Sequence, residues 1–197
     1  YDAVILAHSQ FEKIPISTER QIAMLERQIN DIENAIYEIK SENGENWSVK
    51  QMVIFRKNLD ERLKKLSAEE KKDNLLTFEQ LGVDMMMVDE AHFFKNCFVF
   101  TKLRNVAGIT TSSSQRAFDM LLKCQYLQET NQGRGVVFAT GTPISNSISE
   151  LFVMQRYLQP QELERFGWSY FDTWIAHFAK RTSVLELKPE GYNLVGR

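Results

Sequence analysis

The sequence predicts an α/β fold in which parallel strands are flanked by helices, with an antiparallel helical hairpin inserted into it. Two short apolar runs, residues 85–88 and 135–139, each end abruptly in polar side chains. Strands that present polar groups at their carboxyl ends are typical of open α/β sheets, because ligands bind in the crevice outside those ends. The predicted organisation is a strand and turn at 1–16, a helical hairpin at 17–80, a core at 81–181 and a hairpin-like linker at 182–197.

Composition limits the class of protein. The chain has 197 residues, of which 43% are hydrophobic, enough for one ordinary core with an appendage. The formal net charge of −2 argues against a generally basic nucleic-acid-binding protein. Two cysteines, Cys97 and Cys124, do not make a disulfide framework, and no apolar run approaches the roughly 18 residues of a membrane span. We therefore expect a cytoplasmic protein without a membrane partner, and the abrupt apolar start suggests a piece of a longer chain.

The first segment is expected to hold a short apolar strand at residues 3–6, followed by a turn or helix start at residues 7–11. Ser9 or His8 then lies directly after a strand, where either could face a ligand or a nucleic-acid backbone. The alternative is that Ser9 caps a helical turn and His8 is a hydrogen-bonded surface histidine. Both interpretations stay open, because a motif this short is weak evidence.

Residues 17–80 predict two amphipathic helices that fold back on each other. Ser17 or Thr18 followed by Glu19 is a helix start signal, and Asn43-Gly44 supplies the turn. The segment carries 13 acidic and 11 basic groups, a mixed-sign surface rather than a DNA-binding helix. It is either an arm that contacts a partner or another domain, or a spacer without a contact role. The apolar seam consists of Ile22, Leu25, Ile29, Ile32, Ile36 and Ile39, then Val49, Met52, Phe55, Leu59, Leu63 and Leu66.

The first strand end carries two acids and a histidine, Asp89, Glu90 and His92. ATP hydrolysis needs Mg²⁺ on the outer phosphates and a positioned water. Magnesium keeps most of its water shell and takes only one or two protein carboxylates, which suits Asp89. Glu90 is offset and could orient or deprotonate the water, and His92 could hydrogen-bond toward a neighbouring strand end. The alternative is a strand that ends in ordinary solvated acids.

The second strand end carries the run Ala139-Thr-Gly-Thr-Pro143. Thr140 and Thr142 present hydroxyl groups at what we expect to be the same crevice edge, where they could link to His92. A helix follows, so the alternative is a simple helix cap by Thr142, Ser145 or Ser147.

The segment between the two motifs contains four cationic side chains and no acidic one from residue 91 to residue 118. Side chains with small hydroxyl groups and a few cationic side chains suit contacts to the phosphate backbone, and such contacts do not depend on the base sequence. The alternative is a mobile loop that ends in a helix cap. The four candidate contacts are Lys95, Lys102, Arg104 and Arg116.

These motifs together carry a family resemblance. Residues 88–96, Val-Asp-Glu-Ala-His-Phe-Phe-Lys-Asn, resemble the second helicase motif of superfamily-II motors, the DEAH box, and the trailing Lys95-Asn96 is similar to the Swi/Snf-type branch. Residues 139–152 resemble the third motif of that branch with its following helix. The resemblance covers 1–16 and 81–181, which leaves the hairpin as an insertion. It is closest to the bacterial, mobile-element or phage proteins in which such a motor is joined to a DNA methylase-like region.

The resemblance implies the later part of a RecA-like (P-loop NTPase) lobe that acts with ATP and Mg²⁺ on double-stranded DNA. Asp89 would hold Mg²⁺ through water and Glu90 would activate the attacking water. His92, Thr140 and Thr142 would couple the nucleotide state to the grip on DNA. Ser9 joins the four cations as a tentative nucleic-acid contact.

Two elements of such a motor are not found in the sequence. No Gly-Lys dipeptide occurs, so the phosphate-binding loop is missing, and no arginine finger of a second RecA-like lobe is visible. We expect the loop upstream and the second lobe downstream in the same protein, with 182–197 as a linker, and the chain alone should not hydrolyse ATP efficiently. The alternative function is a degenerate motor lobe without enzymatic activity that binds protein or DNA through its helical hairpin.

Overall fold

The computed structural model describes residues 3–41, 46–69, 76–99, 101, 114–180, 185–187 and 194–196. It is a largely helical structure with a small parallel sheet, so its α/β character is partial. The two 3₁₀ helices are Phe78–Leu81 and Ala91–Phe94. The other elements are α1 (His8–Phe11), α2 (Thr18–Ser41), α3 (Asn46–Glu69), β1 (Met86–Val88), α4 (Gln115–Thr130), β2 (Val136–Phe138), α5 (Ser149–Leu158), α6 (Pro160–Arg165), α7 (Phe171–Phe178), β3 (Leu185–Leu187) and β4 (Leu194–Gly196).

Strands β1 and β2 pair in parallel, with Met86 opposite Val136 and Val88 opposite Phe138. The pairing confirms that the two predicted strand ends lie side by side. The strands are less buried than expected, however, because Met86 and Val88 face the core while Met87 between them is 74% exposed. This alternation of buried and exposed side chains is typical of a sheet that packs one face on the core and leaves the other exposed.

The expected strand at residues 3–6 is not formed. Residues 3–7 are outside any helix or strand and are exposed, with Ile5 at 98%. Among the described residues no strand pairs with this segment, because the parallel sheet consists of β1 and β2. The chain turns helical only at α1, whose last residue, Phe11, packs edge-on against Phe78 at 5.8 Å.

Helices α2 and α3 lie where the apolar spacing predicts them, and they pack against each other as a hairpin. Leu25, Ile32 and Leu59 are buried in the seam. The hairpin also packs on the core, because Phe55 of α3 stacks on Phe98 with ring centroids 4.0 Å apart. The hairpin is therefore not a free arm but is packed against its own domain.

Further contacts join the hairpin to α4 and to the segment before α7. Arg20 Nη1 lies 2.7 Å from Glu129 Oε2, and Tyr170 donates a hydrogen bond to Asp31 Oδ1 at 3.0 Å. The guanidinium of Arg62 lies 4.0 Å from the centre of the Phe118 ring. These contacts hold the hairpin against α4 and against the residue that precedes α7, and a role of the hairpin toward a partner stays a prediction.

One buried tyrosine links the helices beneath the sheet. Tyr157 of α5 is fully buried, and its hydroxyl group lies 2.9 Å from both the Phe94 and the Ala117 backbone oxygens. Burial raises the pKa of Tyr157 well above its ordinary value, so the hydroxyl stays protonated and donates. This side chain fixes the 3₁₀ helix Ala91–Phe94 against α4.

Strands β3 and β4 pair antiparallel, with Leu185 opposite Gly196. This agrees with the hairpin predicted near the end of the chain. In the part of the chain that the structure describes, no helix is both long enough and apolar enough to cross a membrane. Cys97 and Cys124 are buried free thiols, and burial raises the pKa of the Cys124 thiol.

Candidate functional site at the ends of the parallel strands

The site is formed by two loops that leave the carboxyl ends of β1 and β2. We call residues 89–94 the acidic turn and residues 139–146 the threonine loop. The strand pairing continues into them, because the Ala139 N–H donates to Val88 O at 2.8 Å and the Ala91 N–H donates to Ala139 O at 3.0 Å. The two loops are therefore fixed to each other by their backbones before any side chain contributes.

Glu90 has a left-handed backbone conformation, with φ 51° and ψ 44°. For a residue with a Cβ atom this conformation costs about 1–2 kcal/mol. Backbone strain of this kind is concentrated at functional sites, where the surrounding structure enforces it. Here the turn is closed by the Phe93 N–H, which donates to Glu90 O at 3.1 Å, and by the buried Ala91.

His92 brings the acidic turn to the threonine loop. Its Nδ1 atom lies 3.0 Å from Thr140 Oγ1 and 3.1 Å from Glu90 Oε2. When Nδ1 carries a proton, it can donate to either oxygen, so the ring connects the candidate base to the neighbouring strand end. Thr140 Oγ1 also accepts the Thr142 N–H at 3.1 Å. Thr142 thus joins this group through its backbone and not through the hydroxyl group that the sequence suggested.

Asp89 is exposed at the end of β1, and its Oδ1 accepts the Glu90 N–H at 3.0 Å. A single exposed carboxylate fits Mg²⁺ that is held mainly by water and by nucleotide phosphates. No cluster of three or more His, Cys, Asp or Glu side chains suited to a metal ion occurs within the described residues. Asp89 would therefore supply the protein side of a shared coordination shell.

A second connection between the loops was missed by sequence reasoning. Lys95, directly after the acidic turn, lies with Nζ 3.1 Å from Glu150 Oε1 in α5 and also donates to Ser145 Oγ. Glu150 Oε2 accepts the backbone N–H groups of Ser145 at 2.6 Å and Asn146 at 3.3 Å. The sequence offered one signal: Glu150 lies in the first turn of the helix after the threonine loop, where unpaired backbone N–H groups favour a carboxylate.

The environment of Glu150 keeps it charged. Burial of the carboxyl group acts to raise its pKa, but the Ser145 N–H, the Lys95 ammonium and the Asn146 N–H outweigh burial. The pKa of Glu150 therefore lies below its ordinary value. This pair fixes the far end of the threonine loop onto the segment that follows the acidic turn.

The candidate nucleic-acid contacts that the structure describes lie on separate elements. Ser9 is exposed on α1, while the ammonium of Lys95 is held by Glu150. Arg116 lies at the start of α4 and forms an ion pair with Glu12. Lys102 and Arg104 lie outside the described residues.

Comparison with known proteins places the chain among helicase-related sequences. A family described as "Probable helicase domain" matches residues 1–191. The chain belongs to this probable helicase domain family. It is also similar to defense against restriction protein B of Escherichia phage P1, with 32% identity over 114 residues, which is 56% of this chain. The matched part covers 5% of that relative, so the chain spans a small fraction of the relative's length. No solved structure matches the chain.

Proposed function

We propose that this chain is part of an ATP-dependent DNA translocase of superfamily II, in the Swi/Snf-type branch with a DEAH box. The observation that carries the proposal is the meeting of Glu90, His92 and Thr140 at the ends of two paired parallel strands. Such a crevice is where open α/β sheets bind ligands. Membership of the probable helicase domain family supports the same class.

The proposed chemistry assigns one role to each side chain. Asp89 holds Mg²⁺ through water, and the metal supplies charge neutralisation on the phosphates when it is bound. Glu90 accepts a proton from the attacking water or orients it, and its 55% exposed side chain is accessible to such a water. His92 then responds to both Glu90 and Thr140 through its Nδ1 atom. Thr142 supports Thr140 by its backbone N–H.

The proposed partner is double-stranded DNA, and the proposed cofactor is ATP with Mg²⁺. The remaining elements of the motor, the phosphate-binding loop and a second RecA-like lobe, would come from other parts of the same protein, as would any methylase-like region. We place the protein in the cytoplasm. A role in defence against restriction, which the name of the phage P1 relative states for that protein, is proposed for this one as well.

The test is a comparison of Glu90→Gln with the native residue in the full-length protein. Glutamine keeps the size of the side chain but cannot accept the proton, so duplex-stimulated ATP turnover should fall by about 10²-fold or more. Nucleotide binding should stay within twofold. Glu164→Gln on α6 is the matched control, because it removes one exposed carboxylate far along the chain from the site.

The same measurement separates the motor from a non-enzymatic interaction module. Unchanged turnover in Glu90→Gln would refute the assignment of the base. A native full-length protein that binds duplex DNA but never hydrolyses ATP would favour the interaction module.

A further inference from the structure

A row of rings connects α1 to the acidic turn. The His8 ring lies with its centroid 5.8 Å from that of Phe93, edge-on at 79°, and 5.3 Å from that of Phe94. Aromatic pairs at this separation interact favourably when edge and face meet. Helix α1, which lies between the exposed segment 3–7 and α2, thus contacts the acidic turn through His8.

The row continues to the threonine loop. The Phe93 ring lies 4.6 Å from that of His92, tilted by 32°, and His92 Nδ1 reaches Thr140 Oγ1 at 3.0 Å. His8, Phe93, His92 and Thr140 therefore form one line of contacts. The line begins on the element that carries Ser9 and ends at the coupling residue of the proposed site.

Phe93 contributes little to holding the fold together. Its neighbour Phe94 is 1% exposed and anchors the 3₁₀ helix, whereas Phe93 remains 50% exposed. A half-exposed ring placed between two imidazoles is poorly explained by burial of apolar area, which is the usual function of a phenylalanine. Its contacts make sense as a means of fixing the orientation of His92, whose side chain is itself 27% exposed.

We propose that Phe93 is a positioning residue that transmits the position of α1 to His92, so that engagement of duplex DNA beside Ser9 changes the His92–Thr140 contact. The inference rests on the proposed function, in which His92 couples, and on the prediction from the sequence that Ser9 contacts nucleic acid. A displacement of α1 moves His8 against the Phe93 ring. The Phe93 ring lies against that of His92, with centroids 4.6 Å apart, so a shift of the Phe93 ring changes the packing around the imidazole.

The experiment measures the ratio of duplex-stimulated to basal ATP turnover in the full-length protein. Phe93→Leu keeps an apolar side chain but removes the ring, and the ratio should fall by about five- to tenfold, the lower end of ordinary coupling between two sites. Phe93→Tyr keeps the ring and should retain the ratio. Phe178→Leu is the matched control, because Phe178 is also 50% exposed but lies in α7.

A double-mutant cycle tests the direction of the link. His8→Ala should lower the ratio as Phe93→Leu does, and the double variant should lower it no further, because both changes break one line of contacts. A purely structural role for Phe93 would lower both rates together and leave the ratio unchanged, which would overturn the inference. A native ratio in Phe93→Leu would overturn it as well.

The outcomes also separate this inference from the proposed function. If the native protein shows duplex-stimulated turnover that Glu90→Gln abolishes, while Phe93→Leu keeps the ratio, only the inference fails. If the native protein shows no duplex-stimulated turnover, both fail.

Discussion

Replacement of Lys95 by methionine should loosen the contact between the acidic turn and the threonine loop. Methionine keeps most of the apolar stem but lacks the ammonium group that lies 3.1 Å from Glu150 Oε1 and donates to Ser145. Glu150 would then remain charged with its side chain only 9% exposed. A buried charge that loses its partner is a recognised source of large destabilisation.

The magnitude follows from what Glu150 retains. Removal of one partner from a fully buried ion pair costs about 3–5 kcal/mol. Lys95 is 17% exposed, and Glu150 keeps the N–H groups of Ser145 and Asn146, so we expect a loss of about 2–3 kcal/mol, near that of a hydrogen bond to a charged group. For a chain of this size, Tm should fall by about 4–12 °C.

Urea denaturation measures the free energy of unfolding directly, with Lys64→Met as the control. Lys64 is exposed on α3, and such surface changes usually stay within about 0.5 kcal/mol. The reasoning is refuted if Lys95→Met is destabilised no more than Lys64→Met, because the ion pair would then contribute nothing to the folded state.

The pH dependence of the free energy of unfolding tests the contribution of Glu150 to the same ion pair. Its folded pKa lies below the ordinary value of 4.5, so the unfolded chain binds more protons between these two values. The stability that Glu150 contributes is therefore fully present above 4.5 and is lost as the pH falls through the folded pKa. Glu150→Gln should differ most from the native chain at neutral pH and converge with it in acid. A difference that stays constant across this window would contradict the assignment.

Three further substitutions test the described geometry by the free energy of unfolding. Tyr157→Phe should lower it by about 1–3 kcal/mol, because two buried backbone oxygens lose their donor; an unchanged value would mean that water replaces the hydroxyl. Gly135→Ala should lower it by about 1–3 kcal/mol, since φ is +97° and a Cβ atom would lie 2.8 Å from Asp84 O; a neutral effect would contradict this backbone path. Glu90→Gly should raise it by up to about 1 kcal/mol relative to Glu90→Gln by releasing the left-handed conformation, and equal stability would argue against strain.

Local patterns carried most of what the sequence predicted correctly. The 3-4 spacing located α2 and α3 because burial of one helical face repeats along the chain. The end of an apolar run at Asp89 located the end of β1, because polar side chains begin where the strand leaves the core. These signals depend only on neighbouring residues, so they are readable before any tertiary contact is known.

Tertiary placement accounts for what the sequence did not predict. Residues 3–6 have the composition of a strand, but a strand needs backbone pairing with another strand, and among the described residues β1 pairs with β2 alone. The Lys95–Glu150 clamp joins side chains 55 positions apart, as the numbering shows, and depends on where α5 begins relative to the acidic turn. The packing of Phe55 on Phe98 likewise depends on the tilt of the hairpin, which its own periodicity does not specify.

Three sets of contacts join the two loops of the site, and they lie at increasing distance from the ends of the strands. Nearest the strands is a backbone hydrogen bond from Ala91 to Ala139, which persists as long as the sheet does. Farthest away is the ion pair of Lys95 with Glu150, whose charges are stabilised by several hydrogen bonds. Between them, the His92 ring connects Thr140 to Glu90 through one nitrogen atom, Nδ1. A change in the position of the Glu90 or Thr140 side chain therefore alters the middle contact first, because the contacts on either side do not involve these two side chains.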